Sequence, residues 1–288
     1  MKTRFAPSPT GPLHLGHGFS ACTAAEMAEA AGGTFLLRIE DIDQSRARPE
    51  WEALIYEDLA WLGLAWPTPV MRQSERQAAY DAALDRLWSD GLLYPCTCTR
   101  RDIAEATRAP QEGAPLLGPD GVIYPGTCRG RCRKGPRPLG AVLRLDMAAA
   151  VARCTPEALR FVETGAGLAG EQGEITLAPQ GLVDRVGDVV LCRRDMATSY
   201  HLSVVVDDAA QEITHVVRGR DLFEATAIHV VLQALLRLQV PVYHHHRLIR
   251  DAVGKRLAKR DDARALSAYR DAGLSVSEVR ALWSDPQG

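Results

Sequence analysis

Two histidines near the start of the chain stand where a loop can bind phosphate groups. His14 and His17 are three residues apart, and the loop before them passes into an alanine-rich, helix-like segment. Histidines at this spacing share one face of a helix, and their ring N–H groups can donate to phosphate oxygens at the helix N-terminus. Gly16 would let a nucleotide approach the backbone closely. Two unrelated surface histidines would give the same tetrapeptide, so the surrounding sequence has to decide.

The cysteine spacing indicates a second kind of chemistry, the binding of a metal ion. Cys96 and Cys98 form one cluster, the stretch Tyr124 to Cys128 forms the other, and Cys132 is close enough to compete as a ligand. Zinc takes four ligands in a tetrahedral array, which two clusters on separate turns can supply, although a Cys-x-Cys pair alone is a weak signal. The chain has 7 cysteines, an odd number, so we expect thiols and metal ligands instead of disulfides. The remaining cysteines should be buried as small apolar side chains: Cys22, Cys154 and Cys192.

Charge is nearly balanced over the chain but locally concentrated. The 34 Lys and Arg residues against 36 Asp and Glu give a net charge of −2, which argues against indiscriminate binding of polyanions. The run 128–137 is strongly basic and would face either phosphates or solvent. The triple histidine 244–246 lies in a strand-like segment, where neighbouring side chains point to opposite faces, and this disfavours a metal site there.

The elements that would position these residues begin with a βαβ unit. Residues 2–6 are strand-like, 17–31 are helix-like and 34–40 are strand-like again. Such a unit has parallel strands and a right-handed crossover, and parallel sheets bind ligands beyond the carboxyl ends of their strands. The loop 7–17 and the turn 40–43 both fall there, so the histidines are predicted to lie at a ligand site.

The rest of the chain predicts an α/β fold interrupted by an insertion. Two helices are expected around Ile55 and after Ser74, which makes an N-terminal capping box with Gln77. Regular alternation lapses at 94–180 and resumes with a strand at 188–192, a helix at 200–206, a strand at 213–217, a helix at 222–238 and further helices. We divide the chain into 1–93, 94–180, 181–240 and 241–288. Without a spanning segment or signal peptide, we expect a cytoplasmic protein.

The residues around the histidines extend into a longer pattern. The matching stretches are Arg4 to His17, Arg38 to Asp43, Arg46, Arg193 to Tyr200, Val204 to Asp208, His215 to Asp221 and Pro241 to His245. Together they resemble the catalytic domain of the glutamyl class I aminoacyl-tRNA synthetases, which carry a "HIGH" signature at this point of a Rossmann-like parallel sheet. The resemblance implies that His14 and His17 bind ATP, supplied with Mg²⁺, and stabilise charge on its α-phosphate during attack by glutamate.

The same resemblance implies an amino-acid pocket. Its residues would be Arg4, Phe5, Ala6, Pro7, Ser8, Glu40, Tyr200 and Arg218. An arginine is suited to bind a carboxylate with two parallel hydrogen bonds. Charge at Arg4 or Arg218 should therefore select glutamate over glutamine, because a buried arginine left unpaired is costly.

A second signature of the family, the "KMSKS" loop that clamps pyrophosphate, has a candidate at Gly254 to Arg260. Arg256 stands in the place of the first lysine, Ala258 in that of the serine, and Lys259 is the second lysine. Losing the serine hydroxyl removes one phosphate hydrogen bond, which would slow activation, whereas Lys259 still supplies a point charge. A solvated basic loop is the alternative. The implied ATP-binding residues are His14, Gly16, His17, Arg256, Leu257 and Lys259.

One branch of the family has a zinc site in its insertion, with a tyrosine as fourth ligand spaced as Tyr124 is from Cys128. The resemblance implies one structural zinc ion held by Cys96, Cys98, Tyr124 and Cys128, with Cys132 as a competing ligand. Such an ion would stabilise a loop-rich insertion that cannot bury much apolar surface.

The length of the chain also bears on its expected function. Only residues 261–288 follow the second signature, too few for a module that reads an anticodon. The chain looks like the stand-alone glutamyl-queuosine tRNA(Asp) synthetases, which activate glutamate without tRNA and transfer it to queuosine in the anticodon loop. The resemblance implies a monomeric ligase with ATP, L-glutamate and queuosine-bearing tRNA(Asp) as partners, and no membrane. A non-catalytic tRNA-binding paralogue and a glutamate-activating enzyme with another acceptor remain as alternatives.

Overall fold

The structure is a computed structural model that describes residues 1–108, 117–131, 133–249 and 264–284, which form twelve strands and ten α-helices. The strands are β1 (Lys2–Phe5), β2 (Thr34–Ile39), β3 (Met71–Arg72), β4 (Leu93–Cys96), β5 (Leu117–Gly118), β6 (Gly121–Val122), β7 (Val142–Leu145), β8 (Arg160–Glu163), β9 (Gly173–Thr176), β10 (Val190–Cys192), β11 (His215–Gly219) and β12 (Val242–His246). The α-helices are α1 (Leu15–Ala30), α2 (Pro49–Trp61), α3 (Gln77–Ser89), α4 (Arg100–Arg108), α5 (Met147–Arg153), α6 (Pro179–Arg185), α7 (Tyr200–Ala210), α8 (Thr226–Leu236), α9 (Leu266–Asp271) and α10 (Val276–Ser284).

The predicted βαβ unit is confirmed. Strands β1 and β2 pair in parallel, from Lys2 opposite Thr34 onward, and α1 connects them. Helix α1 begins at Leu15, earlier than the predicted start at residue 17. His14 is therefore its N-cap residue and His17 lies in its first turn, which places both side chains at the N-terminus of a helix.

The main sheet continues on both sides of this unit. Strand β3 pairs in parallel with β2, and β11 lies beside β1, because the N–H of Thr214 donates to the carbonyl of Lys2 at 3.0 Å. Strand β12 then pairs in parallel with β11 and with β8, and β9 closes this edge in antiparallel. Strand β8 falls within 94–180, the segment assigned to the insertion, yet it belongs to the main sheet. The boundaries of the four segments stay a prediction.

Helices pack against the strands through two large hydrophobic cores. One core joins α1, α2, α9 and α10 to β1 and β2. The other joins α3, α5, α7 and α8 to β7 and β10. Helix α8 packs Ile228, Val231, Leu232 and Leu235 into the second of these cores. Its other side is buried as well, where Val230 packs against strands of the main sheet. The helix begins at Thr226, later than predicted, because Arg220–Leu222 forms a separate 3₁₀ turn.

The predicted capping box at Ser74 is wrong. Helix α3 begins at Gln77 with Arg76 as its N-cap residue, and Ser74 lies in the 3₁₀ turn before it. The backbone N–H and the hydroxyl of Ser74 donate instead to the Asp41 carboxylate at 2.8 and 2.6 Å. Asp41 follows β2, so Ser74 ties the end of β2 to the approach to α3, a partner that local sequence does not reveal.

A second, smaller sheet carries the cysteine-rich part of the chain. Its antiparallel strand order is β10-β7-β4, and β5 and β6 form a short hairpin. The strand predicted at 188–192 is β10, which pairs with β7 in this sheet. Cys96 ends β4, so the smaller sheet positions the first cysteine cluster.

The described C-terminal residues return to the start of the chain. The N–H of Leu266 donates to the carbonyl of Leu13 at 2.8 Å, and Ala265 forms an antiparallel bridge with His14. An ion pair of 3.0 Å between Arg270 and Asp58 fixes α9 against α2. Among the described residues no helix is long and apolar enough to cross a bilayer.

Candidate active site

A cavity of about 350 Å³ opens at the carboxyl ends of β1, β2, β11 and β12. Its lining includes these residues predicted for the site: Arg4, Phe5, Ala6, His14, Gly16, His17, Glu40, Tyr200 and Arg218. Pro7 and Ser8 are outside this lining; the Pro7 carbonyl accepts from the N–H of Glu40 at 3.0 Å, so it fixes the loop after β1 instead. The cavity lies where a parallel sheet places its ligands.

The two histidines form one wall of the cavity. Their ring centroids are 3.7 Å apart and the rings are stacked at 25°. The Nδ1 atom of His17 accepts the backbone N–H of His14 at 3.2 Å, which fixes the His17 ring at the first turn of α1. A Cβ at Gly16 would lie 3.1 Å from Cε1 of His14, so glycine keeps this wall open. Imidazoles and helix N–H groups together can receive a phosphate.

A buried charge cluster lies next to the cavity, which it reaches through Arg4 and Glu40. The Asp208 carboxylate accepts from Arg4 Nε at 3.0 Å and Nη2 at 3.2 Å, and from Arg38 Nη1 at 2.7 Å. Burial by itself would raise the pKa of Asp208, but the charges of Arg4 and Arg38 outweigh burial and hold that pKa below its ordinary value. The charge of Arg4 is thus already paired with a carboxylate inside the protein.

Glu40 lies at the edge of this cluster. Its Oε1 atom accepts from Arg38 Nη2 at 3.1 Å. Burial raises the pKa of Glu40, and the charges of Arg38 and Arg4 only partly offset that effect. A buried carboxylate of this kind favours a bound cation, such as the ammonium group of an amino acid.

Arg218 is held in a different way, by groups without negative charge. Its Nε atom donates to Nε2 of His245 at 3.0 Å, and its Nη1 atom lies 3.2 Å from Nδ1 of His229. Its Nη2 atom donates to the carbonyl of Leu222 at 3.1 Å and to the hydroxyl of Thr226 at 2.7 Å. None of these four partners carries a negative charge, so the guanidinium can still pair with an anionic group in the cavity.

Tyr200 connects this cavity to a second one. Burial raises the pKa of Tyr200, so its phenol stays protonated and can donate a hydrogen bond. Tyr200 and Leu222 also line the second cavity, of about 910 Å³, which extends to the cysteine cluster. Two substrates bound in these cavities would therefore meet at Tyr200.

The predicted metal ligands come together beside the second cavity. The sulphur atoms of Cys96, Cys98 and Cys128 all lie within 4.8 Å of one another. Tyr124 Oη lies 3.5 Å from Cys96 Sγ and 3.3 Å from Cys98 Sγ. Four ligands at zinc-to-ligand distances of about 2.3 Å would be about 3.8 Å apart, so the cluster fits a tetrahedral ion with little movement.

The chemistry of the cluster also suits a metal ion. Burial would raise the pKa of Cys128, but hydrogen bonds from Tyr124 and from the backbone at Thr97 lower it to about 6. Metal ligation needs such a thiolate. Cys132, the competing ligand, lies outside the described residues. The described residues thus show a three-cysteine cluster that could hold a metal.

Comparison with known proteins extends over nearly the whole chain. Residues 1–280 match the family "tRNA synthetases class I (E and Q), catalytic domain". A glutamyl-Q tRNA(Asp) synthetase of Rhodobacter capsulatus is 60% identical over 288 residues, covering 98% of this chain and 99% of that protein. One of Nocardia farcinica is 42% identical over 291 residues, covering 99% of this chain and 84% of that protein.

The chain belongs to the glutamyl-Q tRNA(Asp) synthetase family.

A solved structure shows the same fold. The glutamate tRNA ligase of Elizabethkingia meningosepticum, crystallised with its amino acid, superimposes with a TM-score of 0.67 at 27% identity, covering 91% of this chain and 52% of that one. The chain thus spans about half the length of that ligase. The predicted class I synthetase fold is confirmed, and this member of the glutamyl-Q tRNA(Asp) synthetase family is a class I aminoacyl-tRNA synthetase-like ligase.

Three residues that we predict to bind ATP lie outside the described residues: Arg256, Leu257 and Lys259. The described residues that precede and follow this segment in the sequence both lie at the cavity. Leu248 and Ile249 line it, and Ala265 pairs with His14 in its wall. The roles of the signature residues stay a prediction.

Sequence reasoning missed the residues that support the arginines. Asp208 pairs with Arg4 across 204 positions, and His245 contacts Arg218 across 27. The sequence offers one signal for Asp208, which is its position directly after the apolar run 204–206. A carboxylate that is buried with such a run needs a buried hydrogen-bond or charge partner.

Proposed function

We propose that this chain activates L-glutamate with ATP and transfers the glutamyl group to queuosine in the anticodon loop of tRNA(Asp). The observation that carries the activation step is one cavity lined both by stacked histidines at a helix N-terminus and by a guanidinium with neutral partners. The name of the Rhodobacter relative, 60% identical, supports the acceptor.

Glutamate binds with its side-chain carboxylate on Arg218. Arg4 is the alternative, but both of its contacts with Asp208 would have to be shared with the substrate. Among the described residues no carboxylate hydrogen-bonds to Arg218, so the carboxylate of a bound glutamate can pair with the whole charge of this guanidinium. Neutral glutamine would leave the guanidinium unpaired at a cost. Glu40 binds the ammonium group, and the Tyr200 phenol donates to the substrate.

ATP binds with its phosphates against His14, Gly16 and His17. An α-carboxylate oxygen of glutamate attacks the α-phosphorus in line, the new P–O bond forms, and the bond to the β-phosphate oxygen breaks to release pyrophosphate. The imidazoles stabilise the charge that develops on the phosphate oxygens. Lys259 supplies a further positive charge, and Arg256 and Leu257 are the other ATP-binding residues of the same signature. Mg²⁺ accompanies ATP as a counter-ion.

Queuosine enters through the second cavity and meets the adenylate at Tyr200. One hydroxyl of its cyclopentene diol attacks the carbonyl carbon of glutamyl-adenylate, an ester bond forms, and AMP leaves. The adenylate phosphate accepts the proton of the hydroxyl. The shared lining of the two cavities supports this path.

Zinc is the ion for the cysteine cluster, with Tyr124 as fourth ligand beside Cys96, Cys98 and Cys128. The Tyr124 hydroxyl lies 3.3 Å from Cys98 Sγ, which supports Tyr124 as a ligand. Such an ion crosslinks the loop that carries Cys128 to the end of β4. A monomeric state and a cytoplasmic location remain predictions.

Glutamate-dependent exchange of pyrophosphate into ATP tests the activation step. We expect exchange with L-glutamate in the absence of tRNA and far less with L-glutamine. No exchange with any amino acid would favour the non-catalytic tRNA-binding paralogue.

Charging of tRNA tests the acceptor. Labelled glutamate should transfer to tRNA from cells that make queuosine and not to tRNA from cells that cannot make it. Equal labelling of both preparations would favour an enzyme with a different acceptor and end the queuosine assignment.

A further inference from the structure

Two hydrogen-bond chains, each made of buried histidine side chains, extend from Arg218 away from the cavity that contains His14 and His17. One runs through His245 to Glu163 and the other through His229 to His201. Because an arginine side chain can only donate hydrogen bonds, each of these contacts has a direction that chemistry fixes.

The first chain fixes the tautomer of His245. Its Nε2 atom lies 3.0 Å from Arg218 Nε and has to accept, so the ring proton is on Nδ1. That N–H donates to Glu163 Oε2 at 2.5 Å. The other oxygen of Glu163 accepts the backbone N–H groups of His245 at 2.9 Å and Gly165 at 2.7 Å, so the carboxylate is held at both ends.

The second chain fixes His229 in the opposite tautomer. Its Nδ1 atom lies 3.2 Å from Arg218 Nη1 and accepts, so its proton is on Nε2. That N–H donates to Nδ1 of His201 at 3.1 Å, and Nε2–H of His201 donates to the Asp120 carboxylate at 3.4 Å. Each chain thus ends on a carboxylate that is at least one imidazole away from the guanidinium.

We propose that Glu163, His245 and His229 are positioning residues that orient Arg218 with neutral acceptors and so reserve its charge for the carboxylate of the substrate. This inference rests on the proposed binding of glutamate at Arg218. The contrast with Arg4 supports it, since Asp208 contacts that guanidinium directly at 3.0 Å. A carboxylate in direct contact would compete with the substrate, whereas an imidazole between the two holds the arginine without pairing its charge.

The groups around each histidine support neutral rings. Burial lowers the pKa of His229 well below its ordinary value, and the charges of Arg218 and Arg4 lower it further, with His201 also facing the ring. Burial likewise lowers the pKa of His245; Arg218 and His244 act in the same direction and Glu163 opposes them. A protonated ring at either position would place a second cation against Arg218.

Asparagine and glutamine variants provide a crossed test. An asparagine amide takes the place of the Nδ1 side of a histidine ring, and a glutamine amide takes the place of the Nε2 side. Arg218 contacts Nδ1 of His229 but Nε2 of His245. At position 229 Asn keeps the acceptor and Gln loses it, whereas at position 245 Gln keeps it and Asn loses it.

We therefore expect His229→Gln and His245→Asn to raise the KM for glutamate about 10-fold or more, the effect of one hydrogen bond to a charged group, with the KM for ATP little changed. His229→Asn should raise the KM for glutamate less than His229→Gln does, and His245→Gln should raise it less than His245→Asn does. The same order of Asn and Gln at both positions would indicate a purely structural role and overturn the proposal. His244→Gln, on the exposed side of β12, is the matched control.

Glu163→Gln tests the hydrogen-bond chain through His245 with a side chain of nearly the same size and shape. Its amide oxygen would accept the two backbone N–H groups, so its NH₂ group would face Nδ1 of His245 and force the ring proton onto Nε2, against Arg218. We expect this variant to raise the KM for glutamate by a similar factor and to switch the tautomer of His245. An unchanged KM together with the switched tautomer would overturn the proposal.

Nitrogen NMR of the wild-type protein separates this inference from the proposed function. It should show the Nδ1–H tautomer for His245 and the Nε2–H tautomer for His229. The reverse tautomers would overturn the network even in an active enzyme. Correct tautomers in a protein without glutamate-dependent exchange or glutamate binding by calorimetry would instead mean that the proposed function has failed.

Discussion

Replacing Asp208 by Asn tests whether this carboxylate holds the two arginines of the charge cluster in place. Asp208 is 6% exposed, and it lies 3.0 Å from Arg4 Nε and 2.7 Å from Arg38 Nη1. The amide removes the negative charge and turns an N–H group toward the guanidiniums. Since breaking a buried ion pair costs about 3–5 kcal/mol, we expect the free energy of unfolding to fall by about 4 kcal/mol. The melting temperature should fall by about 8 °C or more.

Urea unfolding measures the loss directly, provided that the slope of the unfolding transition is unchanged. Glu212→Gln is the matched control, because Glu212 lies just beyond the same helix, pairs with Lys2 at 2.9 Å and is 82% exposed. An exposed pair contributes at most about 1 kcal/mol, so this variant should be nearly as stable as the wild type. Equal small losses in Asp208→Asn and Glu212→Gln would refute the role of Asp208.

The stability that Asp208 contributes is expected to decrease only at acidic pH. The folded protein holds the pKa of Asp208 below its ordinary value. The stabilisation is therefore complete above the unfolded pKa of about 3.9, and it is lost only as pH falls through the folded pKa. The stability gap between wild type and Asp208→Asn should stay constant from neutral pH down to about pH 5. A gap that closes within that range would contradict the ion-pair explanation.

Three further predictions concern the phosphates and the metal. Gly16→Ala should displace the His14 ring, 3.1 Å from the added Cβ, and lower kcat for pyrophosphate exchange about 10-fold with the KM for glutamate nearly unchanged; equal rates would separate this ring from the phosphates. Lys259→Ala should lower the activation rate about 10²-fold in the same assay, and an unchanged rate would remove the second signature from the site. Cys98→Ser should weaken zinc binding by about 10-fold or more in competition with a chelator, whereas Cys154→Ser should not; equal weakening would place the ion elsewhere.

The parts of the fold that sequence predicted are those with a local cause. The βαβ unit is set by apolar periodicity and glycine stops within about forty residues, so β1, α1 and β2 came out with small shifts of their ends. The cavity position followed from the rule that parallel sheets bind ligands at the carboxyl ends of their strands. His14 and His17 could be assigned together because their spacing alone brings them onto one helical turn.

The parts that sequence did not predict depend on distant partners. Ser74 has the sequence of a helix cap, yet it donates to Asp41, which is 33 positions away. Strand β8 has no local feature that assigns it to the main sheet beside β12. Likewise, the choice between Arg4 and Arg218 required knowing that Asp208 contacts only the former. Pairing across the fold decides such questions, and pairing is not a property of one segment.

Comparing wild type with Arg218→Gln in glutamate-dependent pyrophosphate exchange tests most directly whether Arg218 selects the substrate. Because the variant removes the charge that a bound carboxylate would meet, we expect the KM for glutamate to rise by about 10²-fold or more with the KM for ATP nearly unchanged. Exchange supported equally by glutamine and glutamate in the wild type, or an unaltered KM for glutamate in the variant, would contradict the claim that Arg218 selects the substrate.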